Sequence, residues 1–300
     1  MDAKPIHRGR LNLKWIIEAT NGQKLFVKEY NSERYQGKFP HVKTALHIQE
    51  QIRQKGVSCP KIYSIDGEYI LKTPSQIHFS VMEVYEGIVI EPGQATNAQM
   101  SSLGLETGKM HRELKEIAPG KLNWTPSRDR IQSKWEQQYR LAKEEKRSDR
   151  VLSMLEQQRI ILDQVDFTLF ESCPHGWAHW DLQSNNILFR GEEVSVILDF
   201  DRMRYVYPEL DVGRAILSGC VFEEKGMDEQ KVAAFLEGYQ EFCPDFKLSD
   251  LGRALQLIWV KETPWWLTSD IEERSEVSQR FFREMEWLQS HWEEIQSFTQ

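Results

Sequence analysis

The chain has 300 residues, 40% apolar and 28% charged, with a formal net charge of −8. This is the composition of a globular protein with one large domain or two lobes and a core of its own. The acidic balance argues against a broad nucleic-acid surface, and the basic stretch RSDR at 147–150 is too short to supply one. No stretch approaches the ~18 apolar residues of a membrane span, and MDAKPIHRGR at the start has no apolar signal core. The expected location is the cytoplasm, with neither membrane nor nucleic acid as a partner.

The first elements read as strands. LNLKWIIEAT and KLFVKEY flank the turn signal Asn21-Gly22, which predicts a hairpin. HVKTALHIQEQIRQKG then places Val42, Ala45, Ile48 and Ile52 on one helical face, with Gly56 as a stop. KIYSI, YILKT and HFSVMEVYEG follow as further strands. Residues 1–85 therefore read as a small sheet with one helix.

Beyond about residue 90 the pattern turns helical. Thr96 and Gln99 suit a capping box. Met100, Leu103, Thr107, Met110, Leu114 and Ile117 then recur at three- and four-residue spacing. Residues 129–167 read as charged helix, and three more helical stretches run from DEQKVAAFLEGYQEF to the end. Cys59, Cys173, Cys220 and Cys243 show no CxxC spacing and read as reduced core thiols.

One stretch breaks the helical half. In AHWDLQSNNILFRGEEVSVILDFD, residues 178–201, two apolar strands flank a turn at Gly191. A hairpin brings its outer ends within ~5 Å, so Asn186 before the first strand meets Asp199 after the second. Asp181 lies in the loop leading in. A few hard oxygen ligands beside an open face suit Mg²⁺ held together with substrate phosphates. A further carboxylate at its edge can accept a proton from an attacking hydroxyl. The local pattern suggests phosphoryl transfer from a nucleotide.

These residues also carry a family resemblance. His179-x-Asp181-x-x-x-x-Asn186 is similar to the catalytic loop of protein kinases. The strand ending in ILDFD, rather than D-F-G, resembles the aminoglycoside phosphotransferase and choline kinase-like families, including spore-coat kinase-like proteins. Asp211 in YPELDVGRAI, the helix SLGLETGKMHRELK and the segment VMEVYEG fit the same pattern in the same order.

The resemblance implies an α+β, bilobal, protein-kinase-like fold. Its N-lobe (1–85) would be a small antiparallel sheet with one helix and would bind nucleotide. Its C-lobe (86–300), mostly α-helical with an inserted β-hairpin, would hold the catalytic groups and the acceptor. It implies ATP and Mg²⁺ as cofactors and a small hydroxylated molecule as acceptor. Asp181 would be the base or hydroxyl-orienting group, with His179 tying the catalytic loop to the strand that ends at Asp199. Asn186 and Asp199 would hold the metal, Lys28 the α/β-phosphates, and backbone groups near Met82, Glu83 and Val84 the adenine. Asp211 would fix the loop backbone or cap a helix. Asp201 reads as a surface turn residue, His111 and His175 as structural histidines, and Trp180, Trp265 and Trp266 as packing. Acids such as DIEE at 270–273 would suit a cationic acceptor.

The pattern is incomplete in three places. No glycine-rich phosphate loop is present, Gly9 being the only glycine before Gly22. Glu50, the only acid in the first helix, stands about a turn too late to pair with Lys28. Trp180 replaces the glycine of H-G-D. These departures leave open a kinase-like binding or structural protein that no longer catalyses. A Ser/Thr protein kinase is disfavoured by the lack of D-F-G and A-P-E segments.

Overall fold

The computed structural model describes residues 2–6, 12–222 and 226–299. Strands β1 (Asp2–Pro5), β2 (Lys14–Glu18), β3 (Lys24–Tyr30), β4 (Ile62–Tyr63), β5 (Leu71–Lys72) and β6 (His78–Glu83) form one sheet. Its order is β1-β2-β3-β6-β4, with β5 also on β6, and every pairing is antiparallel. The Asn21-Gly22 turn forms as expected, with Gly22 at φ +80°. Gly9 lies outside the described residues.

Helix α2 (Phe39–Gln54) covers one face of this sheet, preceded by the short α1 (Ser32–Tyr35). Tyr30, Ile62 and Met82 from the sheet pack with Tyr35, Val42, Leu46 and Ile70, and Phe26 packs against them. Each such side chain contributes about 1.5–3 kcal/mol when fully buried. Side chains alternate along a strand, so Phe26, Lys28 and Tyr30 share this covered face. Lys28 is only 3% exposed, and a buried ammonium needs anionic partners.

The rest is mainly helical: α3 (Asn97–Lys115), α4 (Arg128–Glu144), α5 (Asp149–Gln164), α6 (Glu209–Cys220), α7 (Glu229–Gln240), α8 (Leu248–Trp266), α9 (Glu276–Ser290) and α10 (Trp292–Ser297). The Thr96/Gln99 capping box opens α3. Helices α3 and α7 meet backbone to backbone. A Cβ on Gly104 would lie 2.0 Å from the Phe235 carbonyl oxygen, and one on Gly238 would lie 2.1 Å from that of Ser101. Glycine costs about 1 kcal/mol relative to alanine inside a helix; here it permits a contact no other residue allows. That contact sets His111 on α3 against Tyr239 on α7.

Inserted in this lobe are β7 (Gly176–Ala178), β8 (Ile187–Arg190), β9 (Glu193–Ile197) and β10 (Arg204–Val206). β8 and β9 form the expected hairpin, with Ile187 opposite Ile197 and Gly191 at φ +63°. β7 pairs with β10, and a further short pair, β11 (Val221–Phe222) with β12 (Gly226–Met227), follows α6. These additional ladders are too short to show as alternation in sequence. The hairpin is tied to the sheet side of the molecule by Ile88, which exchanges both backbone hydrogen bonds with Phe189 at 2.9 and 2.8 Å. The four cysteines are buried and unpaired. Among the described residues no helix is long and apolar enough to cross a membrane.

Candidate active site

A cleft of about 2520 Å³ runs between the sheet and the helical lobe. Lys28, Met82, Glu83, Val84, Asp181, Asn186 and Asp199 all line it. His179 stands behind it, fully buried.

The loop carrying Asp181 is held from beneath. The Asp211 carboxylate, in the first turn of α6, accepts the backbone N–H groups of His179 (2.6 Å) and Trp180 (2.8 Å). It also accepts from Nε2 of His111 at 3.2 Å, and His111 Nδ1 meets the Tyr239 hydroxyl at 2.8 Å. The close α3–α7 packing thus reaches the loop through a chain of buried hydrogen bonds. These bonds hold Trp180 at φ +72°, a left-handed conformation that costs about 1–2 kcal/mol for a residue with a Cβ. The glycine of H-G-D would be relaxed there. The indole instead lies under the Lys261 ammonium, 4.4 Å from the ring centre.

The His179 ring joins the loop to the hairpin. Its Nε2 is 2.7 Å from the Leu198 carbonyl oxygen, which can only accept, so Nε2 carries the proton. Nδ1 is then free to accept the Asp181 N–H at 3.3 Å. The Asn186 amide nitrogen donates to the Asp181 carbonyl at 2.8 Å, which commits its nitrogen and leaves its oxygen for another partner. The register puts Asn186 opposite Leu198, whose N–H donates to the Asn186 carbonyl at 2.7 Å. Asp199 follows at φ +66°, a conformation aspartate tolerates better than most residues.

The segment after Asp199 makes one tight helical turn, Phe200–Arg202. Phe200 points into the core, edge-on to His179 at 4.6 Å. Its neighbours Asp199 and Asp201 both reach Lys28, whose Nζ is 2.8 Å from one carboxylate and 2.9 Å from the other. Burial works to lower the Lys28 ammonium pKa, but these two carboxylates outweigh it and hold the pKa well above the ordinary lysine value. For Asp199, burial works upward and is outweighed by Lys28 and then Lys14, so its carboxyl is held below the usual range.

Asp201 is therefore not a surface turn residue. It is 4% exposed and also accepts from the Tyr35 hydroxyl at 3.1 Å. The missing acid of the first helix is accounted for in the same way. Glu50 is bound to Arg53 at 2.7 and 2.8 Å, while Asp201 supplies the second carboxylate to Lys28.

The helical side of the cleft carries both signs: Arg150, Arg202, Arg280 and Arg283 line it together with Asp181, Glu276, Glu284 and Glu286. The acidic run near 270–273 is engaged elsewhere: Asp270 pairs with Arg274 at 3.0 Å, Glu272 accepts from Ser148 at 2.8 Å, and Glu273 pairs with Arg147. Around Asp181 stand guanidinium groups instead. Arg202 donates to its Oδ2 at 2.8 Å. Gln183 donates to its Oδ1 at 3.3 Å and accepts from Arg280 of α9 at 2.7 Å. Trp266 lines this side, stacked on Phe281 at 4.5 Å, whereas Trp265 is exposed rather than packed. Arg202 and Arg280 come from separate segments, so no motif announced them.

The chain matches the family described as "Phosphotransferase enzyme family" over residues 2–244. It is 26% identical to the homoserine kinase of Rhizobium etli over 245 residues, which cover 75% of this chain and 70% of that protein. Its fold is shared by many solved structures, among them the following two. One is an amicoumacin kinase in complex with AMP-PNP, Ca²⁺ and Ami: TM-score 0.62, 14% identity, covering 96% of this chain and 88% of the other. The other is choline kinase from Cryptosporidium parvum: TM-score 0.62, 12% identity, covering 99% and 92%. The bilobal, kinase-like architecture is common to all of these structures. The chain belongs to the phosphotransferase enzyme family and is a small-molecule kinase-like phosphotransferase.

Proposed function

We propose that the protein is an ATP- and Mg²⁺-dependent kinase that moves the γ-phosphoryl group onto a hydroxyl of a small molecule. Residues 1–85 and the hairpin hold the nucleotide, and the remainder of 86–300 holds the acceptor. One observation carries this reading: Lys28, Asp181, Asn186, Asp199 and the segment 82–84 line a single cleft.

Adenine lies against 82–84, where the β6 ladder ends at Glu83. Lys28 meets the α/β-phosphates, steadied by Asp201 in place of a helix glutamate. The Asn186 amide oxygen and the Asp199 carboxylate are hard donors, and Mg²⁺ is commonly held by one or two such groups together with phosphate oxygens. Bound there, it supplies neutralisation of charge on the β- and γ-phosphates.

The acceptor hydroxyl hydrogen-bonds to Asp181. Its oxygen forms a bond to the γ-phosphorus as the bond to the β,γ-bridging oxygen breaks. The hydroxyl proton passes to the Asp181 carboxylate, and ADP leaves with the bridging electrons. Arg202, bonded to Asp181 beside this point, lies where charge spreads over the transferring group. With Asp201 supplying the partner that the helix lacks, the displaced Glu50 no longer favours an inactive relative.

The test is transfer of label from γ-labelled ATP, with and without Mg²⁺, to a panel of amino alcohols, hydroxy acids, sugars and aminoglycosides. Labelled phosphate ester from at least one acceptor, dependent on Mg²⁺, is the expected result. ATP hydrolysis or inertness across the panel contradicts it.

A further inference from the structure

Trp180 stands directly before Asp181 and holds a left-handed backbone, φ +72°. That conformation is unfavourable for any residue with a Cβ and uncommon for a bulky one, so contacts outside the loop must hold it. Asp211 supplies one from beneath, through the Trp180 N–H at 2.8 Å. The carbonyl and the indole of the same residue are met together by a single side chain.

That side chain is Lys261, near the C-terminal end of α8. Its Nζ is 3.4 Å from the Trp180 carbonyl oxygen and 4.4 Å from the centre of the indole ring. A change of φ and ψ at residue 180 turns the carbonyl relative to the Cβ, so another conformation would lose one of the two contacts. Arg204 also faces the ring, at the longer distance of 5.7 Å.

Lys261 is itself fixed and charged. Its side chain is 11% exposed, and Nζ lies 2.8 Å from Glu262 Oε1. Burial pushes the Glu262 carboxyl up, but Lys261 and Arg214 outweigh that and bring it to about 2, so the partner is an anion. The other Glu262 oxygen accepts from the Trp266 indole N–H. An ammonium withdrawn from water binds a ring face more strongly than an exposed one. That gain is of the same order as the cost of the left-handed backbone. Neither Lys261 nor Trp180 belongs to the lining of the cleft, so the route from Lys261 to the chemistry runs through the loop.

We propose that Lys261 is a positioning residue for the catalytic loop. By holding the carbonyl and the indole of Trp180, it keeps the residue before Asp181 left-handed and so keeps the Asp181 carboxylate at the cleft. It thereby supplies the support that lets tryptophan stand where glycine would need none. The inference rests on the kinase reading above, which gives Asp181 its role.

A double-mutant cycle of Lys261→Met and Trp180→Gly in the full chain tests it. Methionine keeps most of the stem and removes the charge. Glycine adopts positive φ about as readily as negative, so it needs no ammonium to stay there. With Mg-ATP and an acceptor found in the panel, Lys261→Met lowers kcat by roughly 5- to 30-fold, the population shift such a backbone preference represents, and leaves the KM for ATP unchanged. In the Trp180→Gly background the same substitution changes kcat by no more than about twofold. The Glu262 pair is lost in both backgrounds and cancels in the cycle. Thermal midpoints of the four proteins give a second reading: Lys261→Met lowers the midpoint by about 2 °C more beside tryptophan than beside glycine. Lys261→Gln, which removes the charge but keeps a donor, takes the place of the methionine variant if that one does not fold, with the same dependence on background expected.

An equal effect of the Lys261 substitution in both backgrounds overturns the proposal. So does an effect on the KM for ATP with kcat unchanged. Failure of the kinase reading is distinguishable, because it appears as a wild type that transfers no phosphate. The midpoint cycle then still decides whether Lys261 holds Trp180, and equal shifts in the two backgrounds show that it does not.

Discussion

Replacing Asp181 with asparagine is expected to lower kcat by on the order of 10²–10⁴-fold, the range of a positioned general base. The affinity for Mg-ATP should stay near that of the wild type. Asparagine is nearly isosteric, and its single side-chain oxygen can still accept from Arg202, the shorter of the two bonds to the carboxylate at 2.8 Å, while the longer one from Gln183 at 3.3 Å is given up. The loop keeps its shape because its fixing bonds come from the Asp211 carboxylate to the backbone of His179 and Trp180. What disappears is the charge that attracts the hydroxyl proton. Steady-state kinetics with an acceptor found in the panel, together with nucleotide titration, separates the two effects. Unchanged turnover would remove Asp181 from the chemistry.

Asp199→Asn is expected to act at an earlier step. Asparagine accepts φ near +66° as aspartate does, and it can still accept the Lys28 hydrogen bond now made at 2.8 Å. The fold is therefore preserved while one negative charge leaves the proposed metal position. Metal-borne neutralisation of transition-state charge is worth several kcal/mol, so kcat/KM should fall by roughly 10³-fold or more. Mg-dependent tightening of ATP binding should vanish, while any weak metal-free binding through Lys28 and 82–84 remains. Nucleotide titration across Mg²⁺ concentrations reads this directly. A wild-type magnesium dependence in the variant would assign the metal elsewhere.

The parts of the site that sequence made legible are those built from contiguous chain. His179, Asp181, Asn186 and Asp199 lie within a loop and a hairpin, where spacing translates into proximity through strand geometry alone. Lys28 was singled out only through the family resemblance, from its place in the strand before the first helix, and neither its burial nor its partners were readable. Asp201 pairs with it because a left-handed residue and one tight turn carry the chain back toward the sheet, and no periodicity encodes that reversal. The phosphate-loop expectation at Gly9 falls outside the described residues.

The acceptor wall was legible only in part, because its acids are Glu276, Glu284 and Glu286 rather than the run at 270–273. Asp270, Glu272 and Glu273 form a conspicuous run, yet each is engaged by a neighbour on the surface: Arg274, Ser148 and Arg147 in turn. Arg202, Arg214 and Arg280 are scattered in sequence and converge only through the packing of α6, α8 and α9. Similarly, Gly104 and Gly238 look like helix weaknesses until the α3–α7 contact shows why a Cβ is excluded from each.

The central claim is that Asn186 and Asp199, with Lys28, form a magnesium–triphosphate site. The thermal midpoint of the wild-type chain in ATP, with and without Mg²⁺, tests it most directly. At a ligand concentration 100 times Kd, binding stabilises the folded state by about 2.7 kcal/mol, a rise on the order of 5 °C for a chain of this size. The account predicts that rise with ATP and Mg²⁺ together and little with either alone. A midpoint that does not respond to the pair, or one that responds fully to ATP without the metal, contradicts it.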